Sequence, residues 1–108
     1  MQTFPLTELF DRPSKLGFDV RVRGTTYLWG SDTITANMSF ESPPLLHIRN
    51  FIYGNDVSFG TTDASGQSTV LGSLKTGQCV TIKIQNIIGV FVECGANLET
   101  VVGCVINS

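Results

Sequence analysis

His47 is the only histidine in the chain, so any Cys–His or Ser–His nucleophile pair would have to use it. Cys79, Cys94 and Cys104 supply the candidate thiols. The surroundings argue against that chemistry. His47 falls in the middle of Leu45-Leu46-His47-Ile48-Arg49, a strand-like run, whereas catalytic groups in β folds sit on loops. The cysteines lack the electropositive, exposed context that lowers a thiol pKa. A small hydrolase using His47 with a cysteine or a carboxylate is the weakest of three functional readings.

The nine carboxylates are scattered from Glu8 to Glu99. A glycosidase needs two of them held across a cleft, and 108 residues leave little room for both a core and a substrate cleft. The Asp-x-Asx-x-Asx spacing of a calcium loop is absent, and the cysteines show no C-x-x-C pair. No metal and no cofactor is expected. The cysteines read as buried free thiols, since Cys packs as a small apolar residue. If Gly95-Ala96-Asn97 turns a hairpin, Cys94 and Cys104 sit at its opposite ends, too far apart to bond. Free thiols point to a reducing compartment or to a virion assembled in one.

Tyr27 and Trp29 fall on one face of a short strand beside the Gly30-Ser31-Asp32 turn. Exposed aromatic rings stack on a pyranose face while a carboxylate such as Asp32 bonds its hydroxyls, so the three form a candidate glycan site. A lone Trp also fills the core of a sandwich, and that reading of Trp29 comes first.

These side chains must be positioned by β-structure. Leu16, Phe18, Val20 and Val22 alternate with Asp19, Arg21 and Arg23; Val80, Ile82 and Ile84 alternate with Thr81, Lys83 and Gln85. A period of two puts one set on a core and the other toward water. Val, Ile, Thr and Phe abound and Ala is scarce, which opposes helix. Thr33–Glu41 alternates again, Leu45–Tyr53 is nearly all apolar, and Gly60–Gln67 reads as a polar loop before a strand at Ser68–Leu74. Within Cys79–Cys94, Asn86 and Gly89 mark a bulge, a corner or a break between two strands. The pattern is all-β: a single antiparallel β-sandwich of eight or nine strands, jelly-roll or other Greek-key type, with a small β-barrel as second choice. Residues 1–15 read as an N-terminal arm with a short helical turn, and 16–108 as the sandwich.

Charged residues are only 15% of the chain against a usual quarter, so Thr, Ser, Asn and Gly cover the outside. Such surfaces suit β proteins pressed against copies of themselves. The apolar arm residues Phe4, Leu6, Leu9 and Phe10 are expected at an interface. So are Val102 and Ile106 of a final strand that is apolar on both faces. A non-enzymatic structural or assembly module follows, a homo-oligomer or part of a larger assembly such as a viral or phage structural subunit. A small carbohydrate-binding protein is the alternative, with a glycan as its partner. Net charge −2 and no Lys/Arg cluster speak against nucleic acid. No apolar run is long enough for a membrane helix, and no basic-then-apolar leader follows Met1. A soluble chain without signal peptide, cytoplasmic or virion-associated, is the expectation.

Overall fold

The computed structural model describes residues 14–30, 43–51, 55–95 and 98–107, with backbone alone at 14–16. Eight strands run through them: β1 (Ser14–Arg23), β2 (Thr25–Trp29), β3 (Leu45–Asn50), β4 (Val57–Asp63), β5 (Ser68–Leu74), β6 (Cys79–Lys83), β7 (Ile87–Glu93) and β8 (Glu99–Asn107). All pairs are antiparallel. One sheet has the order β1-β8-β3-β6 and the other β2-β7-β4-β5. Among the described strands, β4 and β5 alone follow one another within one sheet; each other consecutive pair lies in facing sheets. That interleaving is the jelly-roll sandwich, two Greek keys wrapped around one core.

The crossings need sharp corners, and the residues at two of them explain themselves. Gly24 is the only residue between β1 and β2, and its φ of 56° is a left-handed conformation that a Cβ opposes. Asn86, between β6 and β7, adopts φ 61°, which Asn tolerates better than other side chains. The long Cys79–Cys94 stretch therefore breaks at Asn86 and changes sheet there. Gly89 has a different role, in the middle of β7.

The core lies between the sheets. Val22, Leu46, Ile48, Val80, Ile82, Val102, Cys104 and Ile106 meet Leu28, Val57, Leu74, Val90 and Val92. Phe18, Val20, Trp29 and Phe59 pack against them from the periphery. This bears out the alternation read in β1 and β6. Among these apolar groups sits Asn50, with no exposed surface. Its Nδ2 donates to the carbonyls of Asn55 at 2.8 Å and Leu74 at 3.1 Å, and its Oδ1 accepts from the Thr100 hydroxyl at 3.0 Å. One amide thereby ties the end of β3 to the β3–β4 connection, the end of β5 and the start of β8.

Three readings of the sequence change. Gly60–Asp63 is not loop but the second half of β4, and the β4–β5 loop is only residues 64–67. Glycine is required at 60 because a Cβ there would run into the Thr69 carbonyl oxygen and the Phe91 ring. β7 and β8 do not pair as the hairpin expected around Gly95-Ala96-Asn97, because they lie in different sheets. Cys94 and Cys104 remain buried free thiols, and Cys79 is free and exposed. The arm with Phe4, Leu6, Leu9 and Phe10, the Thr33–Glu41 segment, and Asp32 lie outside the described residues.

Candidate functional site

β2 carries two of the proposed glycan contacts, and a bulge separates them. Tyr27 pairs with Phe91, and Trp29 pairs with Val90, leaving Leu28 as an extra residue. A bulge sets two residues opposite one and breaks the alternation. Leu28 and Trp29 consequently both serve the core side, while Tyr27 alone stands on the outer face. The shared face expected of Tyr27 and Trp29 does not form.

The Tyr27 ring lies across Gly89, where a Cβ would come within 3.0 Å of it. Its centroid is 5.7 Å from that of Phe91, tilted by 55°. Phe91 is thereby covered to 5% exposure, while Tyr27 keeps 44%. The Tyr27 hydroxyl meets the Thr62 hydroxyl at 3.3 Å, and Thr62 meets Ser68 at 2.9 Å. Hydrogen bonds from Thr62 and then Ser68 hold the phenol below its ordinary pKa, burial opposing them weakly. Tyr27 thus works as a lid on Phe91.

β8 lies between β1 and β3. It needs no second copy to complete its pairing, and Val102 and Ile106 are core residues without exposed surface. They present nothing to a partner. This corrects the interface expected there. Its outward positions are Val101, Gly103 and Val105, on the face where His47 of β3 also points. His47 Nδ1 shares a 2.7 Å hydrogen bond with the Thr81 hydroxyl of β6. Cys104, buried and near the Asp19 carboxylate, has its thiol pushed up to about 12, so it stays protonated and unreactive. Among the described residues no cluster of His, Cys, Asp and Glu could hold a metal ion.

The exposed apolar surface concentrates elsewhere, on β5. Val70 and Leu71 are neighbours, 56% and 55% exposed. β5 is an edge strand: among the described residues it pairs only with β4. Leu71 is the extra residue of a bulge between the Phe59–Gly72 and Gly60–Val70 pairs. Ser68 through Leu71 are exposed without a break, so this half of the strand overhangs the core. The strand Ser68-Thr69-Val70-Leu71-Gly72-Ser73-Leu74 contains no charge and no proline. Both are devices that blunt edges. The other edges differ in charge or length: β1 bears Asp19, Arg21 and Arg23, β2 is only five residues long, and β6 ends in Lys83. Sequence reading missed Val70 and Leu71, although the uncharged run was visible in it.

Set against known proteins, no protein-family model matches this sequence and no curated protein matches it. Solved structures do share the fold. A chain from Bacillus endospore appendages, which form a family of disulfide-linked pili, superposes with a TM-score of 0.53 at 7% identity, covering 86% of this chain and 83% of that one. The SPBc2 prophage-derived protein YomS gives 0.50 at 13% identity, covering 86% and 94%. Pseudomonas aeruginosa AlgX gives 0.54 at 10% identity, this chain covering 90% of itself and only 27% of AlgX. At such identities the likeness is one of fold.

Proposed function

We propose that this protein is a non-enzymatic assembly module whose contact surface is the β5 edge. One observation carries the reading: Val70 and Leu71 stand adjacent and more than half exposed on a strand edge without a charge or a proline. A second copy is the occupant, because β5 against β5 brings no like charges together, whereas β1 against β1 would oppose Arg21 and Arg23. Two sandwiches of this fold support the reading, one from pili and one from a prophage. A virion or appendage subunit is its most concrete form.

The magnitude is modest. Burying the exposed part of four side chains, two per copy, contributes roughly 4–6 kcal/mol. Association costs about 4–15 kcal/mol in lost freedom, so strand hydrogen bonds along the edge must supply the rest. The contact should therefore depend on concentration. Light-scattering mass measured from about 1 to 500 µM should rise for the wild type, a range set by weak association. Leu71→Lys should hold the protein at monomer mass with its melting temperature unchanged. A wild type that stays monomeric at the top of that range overturns the proposal.

A further inference from the structure

The outer face of the β1-β8-β3-β6 sheet holds a depression of about 470 Å³. That is within the range of small-molecule sites. Two rows of cross-strand neighbours build it. Gly17, Val105, His47 and Thr81 form one, and Asp19, Gly103, Arg49 and Cys79 the next. Glycine at 17 lowers the floor, and glycine at 103 makes room for the Phe51 ring. Above Gly17 the space is open, since a Cβ there would meet nothing closer than the Cys104 carbonyl oxygen at 3.9 Å. Over Gly103, the Phe51 ring edge and the Asp19 carboxylate converge, at 3.0 and 3.4 Å from where a Cβ would be.

Asp19 and Arg49 flank this floor on β1 and β3 with β8 between them, so two strand spacings, roughly 10 Å, separate their backbones. Among the described residues neither side chain has a hydrogen bond or an ion pair. A carboxylate only accepts and a guanidinium only donates. Their charges cancel, which favours a neutral ligand. A ligand that satisfies both must present donors and acceptors together, as a hydroxyl does. The apolar part of the lining, Val105 and the Phe51 ring, suits the C–H face of a saturated ring. We infer that this groove is a binding site for a neutral saccharide, one ring deep, with Asp19 and Arg49 bonding its hydroxyls and Phe51 and Val105 beneath its C–H face. The site is on the opposite sheet from β5 and does not depend on the assembly reading.

Gly17 makes the test clean. A valine there suits a strand, and its Cβ meets backbone only at ordinary contact distance, the Cys104 carbonyl oxygen at 3.9 Å, yet it occupies the groove. Saturation-transfer NMR on the full chain would be run with the methyl glycosides of glucose, galactose, mannose and N-acetylglucosamine, and with free glycine as a zwitterion. At least one glycoside should bind with a Kd of order millimolar. Asp19→Ala should weaken it about tenfold by removing the acceptor. Gly17→Val should abolish it with the melting temperature unchanged, and Tyr27→Ala should leave it alone. The proposal is overturned if no glycoside binds at ~50 mM, well above that affinity. It is equally overturned if Gly17→Val binds as well as wild type, if Tyr27→Ala is the variant that loses binding, or if glycine alone binds.

Discussion

Asn50 shows how one polar side chain can hold a sandwich corner. Both of its amide hydrogens and its oxygen are bonded, so burial leaves nothing unsatisfied. Asn50→Ala would orphan the Leu74 and Asn55 carbonyls and the Thr100 hydroxyl at once. It should destabilise by about 2–6 kcal/mol in urea unfolding, since the bonds to Leu74 and Thr100 are buried and each stranded buried group costs roughly 1–3 kcal/mol. A loss under 1 kcal/mol would mean that water replaces the amide. The cysteines divide in the same way, by surroundings. Cys79 is exposed on β6, while Cys94 and Cys104 lie in the core. Iodoacetamide at pH 8 should modify one thiol in the native protein and three after denaturation. Rapid native labelling of Cys104 would contradict a thiol pushed up to about 12.

At the scale of elements, the β4–β5 hairpin sets the orientation of the exposed edge. Asp63 organises its loop: Oδ1 accepts from the Ser65 hydroxyl at 2.6 Å and from the backbone N–H groups of Ser65 and Gln67, each at 3.0 Å. The Ser65 hydroxyl first, then the Gln67 amide, hold the Asp63 carboxyl below its ordinary pKa. A depressed carboxylate stabilises the fold fully above its unfolded pKa, and that contribution is lost as pH falls through the lower, folded value. The Ser65 and Gln67 amide resonances should therefore titrate together with a midpoint below the usual Asp value of about 3.9. A midpoint at or above it would remove Asp63 as the organiser of the loop. Most elements were legible in the sequence because period-two alternation directly records a sheet with one face buried, as in β1 and β6. Where two rules met, the reading slipped. Gly60 looked like a breaker, since nothing local says that the ring of Phe91, thirty-one residues later, fills its empty side. Tyr27 and Trp29 looked like neighbours on one face, since the bulge at Leu28 arises from pairing with β7. The groove on the outer sheet was invisible for the same reason: Asp19, Arg49 and Gly103 meet only through strand order.

Over the whole molecule, strand order decides what can assemble. The apolar final strand suggested a partner copy, but a strand between β1 and β3 finds its hydrogen-bond partners within the chain. The surplus apolar surface is displaced to β5 instead. Growth into a fibre requires two complementary edges, one on each side of the subunit, because a head-to-tail contact does not close. Among the described residues only one edge is both uncharged and longer than five residues. β1 carries Asp19, Arg21 and Arg23, with Arg23 paired to Glu99 at 2.8 Å; β2 is short; β6 ends in Lys83. A contact that uses the same patch on both copies closes on itself after one step. The β5 edge alone should thus give a two-fold dimer. With rising concentration the light-scattering mass should level off at twice 11.7 kDa. Val70→Lys, on the same patch, should lower that plateau as Leu71→Lys does. Mass that keeps growing past the dimer, in protein that remains folded, would show that a second surface joins β5 and that the subunit builds an open array.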